Sequence, residues 1–313
     1  MNAPLGERLS QEQRDMFEHD GFVALRGVLK RPHLERLREA KDLALKTFAA
    51  SPNSYDVTHA ADQFWTEAPP SDQGSVQYDL GGLAKAVRAS GLRRLMDHGA
   101  PDLSRGRFLV DTGVWRRAPA LAELALKGFL PRIAAGLLSV HPLRFYDDQL
   151  FVKEGGALDR AAFHQDISYF HLEGTRGCVL WIPLEPVRRG GGAMGYVPGS
   201  HKWGKVFNPN IFMSQMPFPG SAGENLPDIE GHEAEYDVRY LEADPGDVLV
   251  HHFLTVHGSE GNTGSSARSA FSMRYIDADL RYKHRPGAPL QPLHLQTSID
   301  GDKLDDRVHP LLG

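Results

Sequence analysis

The second half of this chain is a succession of short, apolar, β-forming segments, and that texture restricts the fold more than any other feature. After His141 come LRFYDDQLFVK, AFHQDISYF, CVLWIPLEPV, AMGYVPG, YDVRYLEA, DVLVHHFLTVH and RSAFSMRYI. Each is rich in aromatic and β-branched residues, and clusters of Gly, Pro, Asn and Ser separate them. Several short strands with turn signals between them predict an all-β sandwich or barrel. The first half reads as largely helical. Ser10 and Gln13 have capping-box spacing ahead of QEQRDMFEHD. GFVALRG (21–27) reads as a short strand. Pro32 suits a helix first turn, and Leu34, Leu37, Leu45 and Phe48 mark an apolar stripe of helical spacing. The polar stretch from Ser51 to Gln77 reads as loops. Residues 121–139 are helical again, with Pro131 kinking or ending the first part.

No low-complexity linker or internal repeat divides the 313 residues. The expectation is one domain: a mostly helical front (1–140), a β core (141–284) and a proline-bearing tail (285–313) over the surface. Hydrophobic residues make up 41%, enough for a sizeable core. A balance of 35 basic against 40 acidic residues gives a formal net charge of −5, too mild for a nucleic-acid binder. The single cysteine, Cys178, excludes an internal disulfide and sits in an apolar run as a core residue. The first fifteen residues lack an apolar signal-like core and no apolar run approaches the ~18 residues of a membrane span. A soluble cytoplasmic protein is the expectation; oligomeric state is not readable.

Several motifs fail in context. Gly190, Gly192 and Gly195 match a dinucleotide-binding glycine pattern, but YVPGSH follows where a helix should start, so the segment reads as a flexible inter-strand loop. No nucleophile elbow, P-loop or HExxH zinc motif is present, and one cysteine cannot build a cysteine-rich zinc site.

Histidine–acid pairs two residues apart occur three times: His33/Glu35, His164/Asp166 and His171/Glu173. With 15 histidines and 40 acids, chance alone gives roughly two. On a helix, His33 and Glu35 diverge. In a strand, His164 and Asp166 point to one face, as two ligands of one metal require; if the strand runs on, His171 and Glu173 face away. The third ligand comes from His251, His252 or His257. His257 ends its segment before a Gly-Ser turn, His251 shares its parity six residues upstream, and His252 faces the other way. Two histidines and a carboxylate leave open positions, which suits non-haem Fe(II) better than Zn²⁺. Eleven residues on, Arg268 shares a strand face with Ala270 and Ser272, leaving room for an anion; its planar fork suits a carboxylate. Taken alone, such an arginine is more often a surface residue or half of a structural ion pair. Lys153, after LFV, reads as a solvated strand end.

Together these pieces resemble the phytanoyl-CoA dioxygenase family of Fe(II)- and 2-oxoglutarate-dependent oxygenases. MFEHDGFVALRGVL looks like the family's opening helix and strand, and DQLFVK precedes FHQD as it does there. GGGAMGYVPGSHKWG, DPGDVLVHHFLTVHGSEGN and RSAFSMRYI look like its later segments, in the family's order. The resemblance implies a double-stranded β-helix, a jelly-roll core with N-terminal helices. It implies His164, Asp166 and His257 as iron ligands and Arg268, assisted by Ser259, as partner of the distal 2-oxoglutarate carboxylate. Gln149 and Trp181 would line the cosubstrate pocket; His201, His251 and His252 would be structural, with His252 placed to tune a neighbour. The implied reaction consumes O₂ and 2-oxoglutarate, releases succinate and CO₂, and hydroxylates a C–H bond of a small molecule. Alternatives are desaturation, epimerisation or ring formation on the same iron site, and a non-catalytic cupin-like metal-binding protein. Substrate identity is not readable: Trp203, Phe207, Phe212, Met213 and Met216 form an apolar lid or simply pack.

Overall fold

The computed structural model describes residues 9–58, 106–289 and 299–313. Helix α1 (Gln11–Asp20) starts on the reciprocal cap that its sequence announces: Ser10 Oγ accepts from the Gln13 N–H at 3.1 Å and Gln13 Oε1 accepts from the Ser10 N–H at 2.9 Å. Gly21, at φ 84°, ends it and turns the chain into strand β1 (Phe22–Leu25). Helix α2 (Arg31–Thr47) carries Pro32 in its first turn and buries Leu34, Leu37, Ala40 and Ala44. Leu45, expected on the apolar stripe, is exposed, because small alanines fill the centre of the packed face and Leu45 falls at its edge. Residues 121–139 are two helices, α3 (Pro119–Leu126) and α4 (Leu130–Leu138), and Pro131 opens the second instead of kinking one.

The remaining strands are β2 (Ser54–Asp56), β3 (Phe108–Thr112), β4 (Leu143–Lys153), β5 (Ala161–His164), β6 (Leu172–Glu173), β7 (Gly177–Pro183) and β8 (Met194–Tyr196). They continue with β9 (Arg239–Leu241), β10 (Val248–His252), β11 (His257–Ser259), β12 (Arg268–Asp277), β13 (Arg281–Tyr282) and β14 (Leu311–Leu312). The large sheet runs β1-β10-β7-β12-β4-β3-β2, with β14 pairing β4; the small sheet runs β5-β11-β8-β9. All their paired strands are antiparallel, as a jelly roll requires. The front of the chain is therefore not only helical: β1, β2 and β3 complete the large sheet. The strand β2 lies in a stretch expected to be loop; residues 59–77 of that stretch lie outside the described residues.

Alternation along β12 sorts the two faces. Phe271, Met273 and Tyr275 join Leu150, Val152, Cys178, Leu180 and Ile182 in the main core under the four helices. Ala270 turns inward with Trp181, Leu249 and Phe22 against Met194 and Tyr196 of the small sheet. Phe22 and Tyr196 stack at 4.6 Å between ring centres, so side chains fill the space between the sheets.

Candidate metal centre

The expected straight strand through FHQDISYF stops at His164. Gln165 remains extended, and Asp166 opens a 3₁₀ turn, Asp166–Tyr169. The Gln165 amide pins this corner, donating to the Leu254 carbonyl (2.9 Å) and accepting from the Phe207 N–H (3.0 Å). Because Gln165 keeps strand geometry, His164 and Asp166 still share a side; His171 turns into a separate pocket, stacked on His284 at 5.2 Å. DVLVHHFLTVH also divides. Its first half is β10 in the large sheet, and its second half begins β11 in the small one, where His257 pairs directly with His164. Thr255 Oγ1 donates to the Gly21 carbonyl at 2.7 Å and holds the crossing.

These turns bring His164, Asp166 and His257 together. All three are buried, and each offers a ligand atom within 4.8 Å of the others. His164 Nδ1 lies 2.7 Å from the Ala162 carbonyl and His257 Nδ1 2.9 Å from the Thr255 carbonyl. Each Nδ1 therefore carries the proton and each Nε2 presents a lone pair. Burial, then each other's company, pushes His164 down to about 3; burial and the neighbouring His251 push His257 down to about 4. Both are neutral at physiological pH. Burial alone would raise the Asp166 carboxyl, but His257, the hydrogen bond from His251 and nearby Arg274 together hold it well below the carboxylate range. Two neutral imidazoles and one carboxylate, with no fourth protein ligand in the described cluster, fit a non-haem iron with open positions.

Two neighbours do more than the sequence suggests: His251 is expected there to be structural, and Arg274 is not singled out. His251 Nε2 lies 3.0 Å from Asp166 Oδ2, and its Nδ1 lies 3.3 Å from the Tyr196 hydroxyl. The histidine that tunes a neighbour is thus His251; His252 packs between Phe17 and His201. A strand that continued past His252 would carry His251 some 20 Å from His257, so only the break between β10 and β11 makes them neighbours. Arg274 is the second: its guanidinium donates to Asp147 (2.9 Å) and to Gln149 Oε1 (2.6 Å), and it lies on the same inward face of β12 as Arg268.

Arg268 opens β12 and is buried. Its guanidinium stands 5.2 Å from the centre of the Trp181 ring and donates to the Gly192 carbonyl, while Nε has no partner. The glycine motif is therefore not free loop. Gly192 has φ 82°, and a Cβ there would meet Arg268 Nε at 2.6 Å, so only glycine lets the arginine lie against this backbone. Ser259, expected to assist Arg268, accepts instead from Lys153 Nζ at 3.0 Å. Lys153 is not a solvated strand end; it is fully buried, because β3 and β12 flank it on both sides. Gln149 has its amide committed to Arg274 and to the Tyr55 hydroxyl (3.0 Å). In the long segment after PGSH, Phe207 and Met213 pack inward, and the Phe212 ring comes within 5.5 Å of His164.

The model of the phytanoyl-CoA dioxygenase family matches residues 17–270. A Caenorhabditis elegans protein named probable phytanoyl-CoA dioxygenase is 23% identical over 291 residues, covering 92% of this chain and 82% of its own. Among solved structures, the α-ketoglutarate-dependent carbocyclase SnoK of nogalamycin biosynthesis superposes with a TM-score of 0.63 at 23% identity, covering 98% of both chains. The epimerase SnoN, solved with Fe³⁺ and α-ketoglutarate, does so with a TM-score of 0.60 at 21% identity, covering 97% of this chain and 98% of its own. Both solved structures share the fold of this chain. With the family model spanning most of its length, this chain belongs to the phytanoyl-CoA dioxygenase family and is an iron- and 2-oxoglutarate-dependent dioxygenase.

Proposed function

We propose that this enzyme hydroxylates an unactivated C–H bond of a small organic molecule, with His164, Asp166 and His257 holding iron and Arg268 holding the distal carboxylate of 2-oxoglutarate. The observation that carries the reading is the convergence of the buried two-histidine, one-carboxylate cluster with a buried arginine whose Nε lacks a partner. Bound iron, with 2-oxoglutarate and O₂, supplies an oxidant able to break a C–H bond while the cosubstrate becomes succinate and CO₂.

The chain's own residues supply position and electrostatics. The Ala162 and Thr255 carbonyls fix both imidazole tautomers, so Nε2 of His164 and of His257 is ready to ligate without losing a proton. Asp166 contributes the negative charge, and His251 fixes its second oxygen. Arg268, backed by Trp181 and seated against Gly192, aims its fork at the cosubstrate's far end. Gln149 lies on the same inward face between Arg268 and Arg274, where it lines the cosubstrate pocket with its amide held by Arg274 and Tyr55. Phe212 and Tyr169, both beside His164, exclude water from the reacting centre.

A second reading has a specific observation behind it: the superposing structures are named as a carbocyclase and an epimerase, so ring formation or epimerisation on the same centre competes with hydroxylation. Product mass separates them, because hydroxylation adds one oxygen, ring closure by desaturation removes two hydrogens and epimerisation changes neither. His164→Ala and Asp166→Ala are expected to lose stoichiometric iron binding and all succinate formation. A variant that kept both would remove these residues from the site. We also propose that all 313 residues act as one catalytic domain, since strands from β1 to β14 share the large sheet. None of the described helices is long and apolar enough to cross a membrane. A cytoplasmic setting is part of the same proposal, supported by the free, buried thiol of Cys178.

A further inference from the structure

Phe212 holds its backbone in the left-handed region, at φ 65°. A bulky side chain there crowds its own carbonyl, so the conformation persists only where its surroundings impose it. Three non-glycine residues among those described have a positive φ. Ser139 ends α4 and Asp237 is exposed, whereas Phe212 stands beside the metal centre, its ring 5.5 Å from that of His164. The groups that impose the conformation belong to the FHQD segment itself. The Phe212 carbonyl accepts from the Ala162 N–H (2.8 Å), and the Phe212 N–H donates to Asn210 Oδ1 (2.9 Å). Asn210 is buried; its amide donates to the Phe163 carbonyl (2.8 Å) and accepts from the Tyr169 hydroxyl (2.5 Å). A bridge between Asn210 and Pro217 closes the hairpin, with the Ile211 N–H donating to the Met216 carbonyl at 2.9 Å. The same stretch that supplies two metal ligands thus fixes the direction of one aromatic ring.

That ring lies nearly parallel to Phe151, with 15° between the planes and 6.0 Å between centres, and Phe108 stands 6.1 Å from one and 6.3 Å from the other. All three separations are in the attractive range for aromatic pairs. Phe151 is on the inward face of β4, opposite Ala270, and Tyr55 and Val110 extend the same cluster along β2 and β3. Phe151 and Phe212 both remain partly exposed, so their rings still have surface to offer. The polar groups of this stretch are turned to each other: the Gln149 amide donates to the Tyr55 hydroxyl. We propose that Phe212 is a specificity-determining residue: with Phe151 it makes an uncharged aromatic wall beside the metal centre, which selects a substrate carrying a neutral aromatic ring over one carrying a saturated ring of the same skeleton. This rests on the reading of the site given above and names the substrate class for it.

The test is anaerobic calorimetry on the full chain loaded with Fe(II) and 2-oxoglutarate. The probes are 2-naphthol and decahydro-2-naphthol, its saturated counterpart with the same carbon skeleton and hydroxyl. The wild-type protein is expected to bind 2-naphthol about fivefold tighter than the saturated alcohol. Phe212→Leu keeps an apolar side chain at the same φ and removes the ring, and should bring the two affinities within about twofold of each other. Equal affinities in the wild-type protein, no binding of either probe, or a preference that survives in Phe212→Leu would overturn the proposal and leave Phe212 a packing residue. Phe212→Gly, whose backbone accepts a positive φ without strain, is judged by the same ratio if the leucine variant does not fold. Failure of the wild-type protein to take up 2-oxoglutarate on iron would instead bring down the reading of the site, and this proposal with it.

Discussion

His251 is the residue whose role most changes the picture of the centre. Its 3.0 Å contact fixes one oxygen of Asp166 and so biases the carboxylate towards single-oxygen ligation, which keeps positions open. Replacing it with Phe keeps the packing against His257 and Tyr196 and removes the hydrogen bonds to Asp166 and to the Tyr196 hydroxyl. We expect metal affinity to fall by roughly 10- to 100-fold, read by equilibrium dialysis with Fe(II) or Co(II) under argon; unchanged affinity would make His251 a packing residue. Arg268→Ala acts on a different quantity. A buried carboxylate would lose a charge-assisted pair worth ~2–4 kcal/mol, so the KM for 2-oxoglutarate should rise by about thirtyfold or more, with metal affinity unchanged. An unaltered KM in steady-state succinate assays would return Arg268 to a structural role.

At the level of elements, the site depends on breaks in strands and not on their length. β5 stops so that Asp166 can start a turn, and β10 and β11 part company so that His257 can face His164. The glycine loop before β8 is the third such device. Gly192→Ala would place a methyl 2.6 Å from Arg268 Nε at a positive φ. Overpacking of this kind costs about 1–3 kcal/mol; the expected result is a lower midpoint in urea together with a raised KM for 2-oxoglutarate. A destabilised variant with normal cosubstrate kinetics would mean that the loop supports the fold without seating the arginine. These breaks explain what the sequence could and could not reveal. The inward face of Arg268, Ala270 and Ser272 was legible because β12 is regular and period two holds along it. The burial of Lys153 was not, because it depends on register with Arg268 and Phe108, residues 115 positions downstream and 45 upstream that no local pattern connects. The closeness of His251 to the centre was not legible either, because one continuous strand would carry it six residues away from His257, where the chain forms two strands in two sheets.

For the molecule as a whole, a single inner space between two sheets serves both stability and chemistry, and buried histidines occur well beyond the centre. His309, stacked on Tyr146 at 4.7 Å, and His171 are each pushed down to about 4, mainly by burial. Below pH 6.5 the unfolded chain takes up protons that the folded chain refuses until about pH 4, so stability is full above that window and falls as pH drops through it. Each histidine accounts for on the order of 2 kcal/mol between pH 7 and pH 5. Urea unfolding of the metal-free protein should show this loss, and His309→Gln should flatten the slope by about one histidine's share; an unchanged slope would mean that His309 titrates normally.

The central claim is that His164, Asp166 and His257 hold an iron on which 2-oxoglutarate is chelated, with Arg268 at its far end. Anaerobic titration of the metal-free protein with Fe(II) and then 2-oxoglutarate tests it most directly. The expected result is a weak visible charge-transfer band that saturates at one equivalent and is absent from Asp166→Ala. Iron bound stoichiometrically with no such band on adding 2-oxoglutarate would contradict the account.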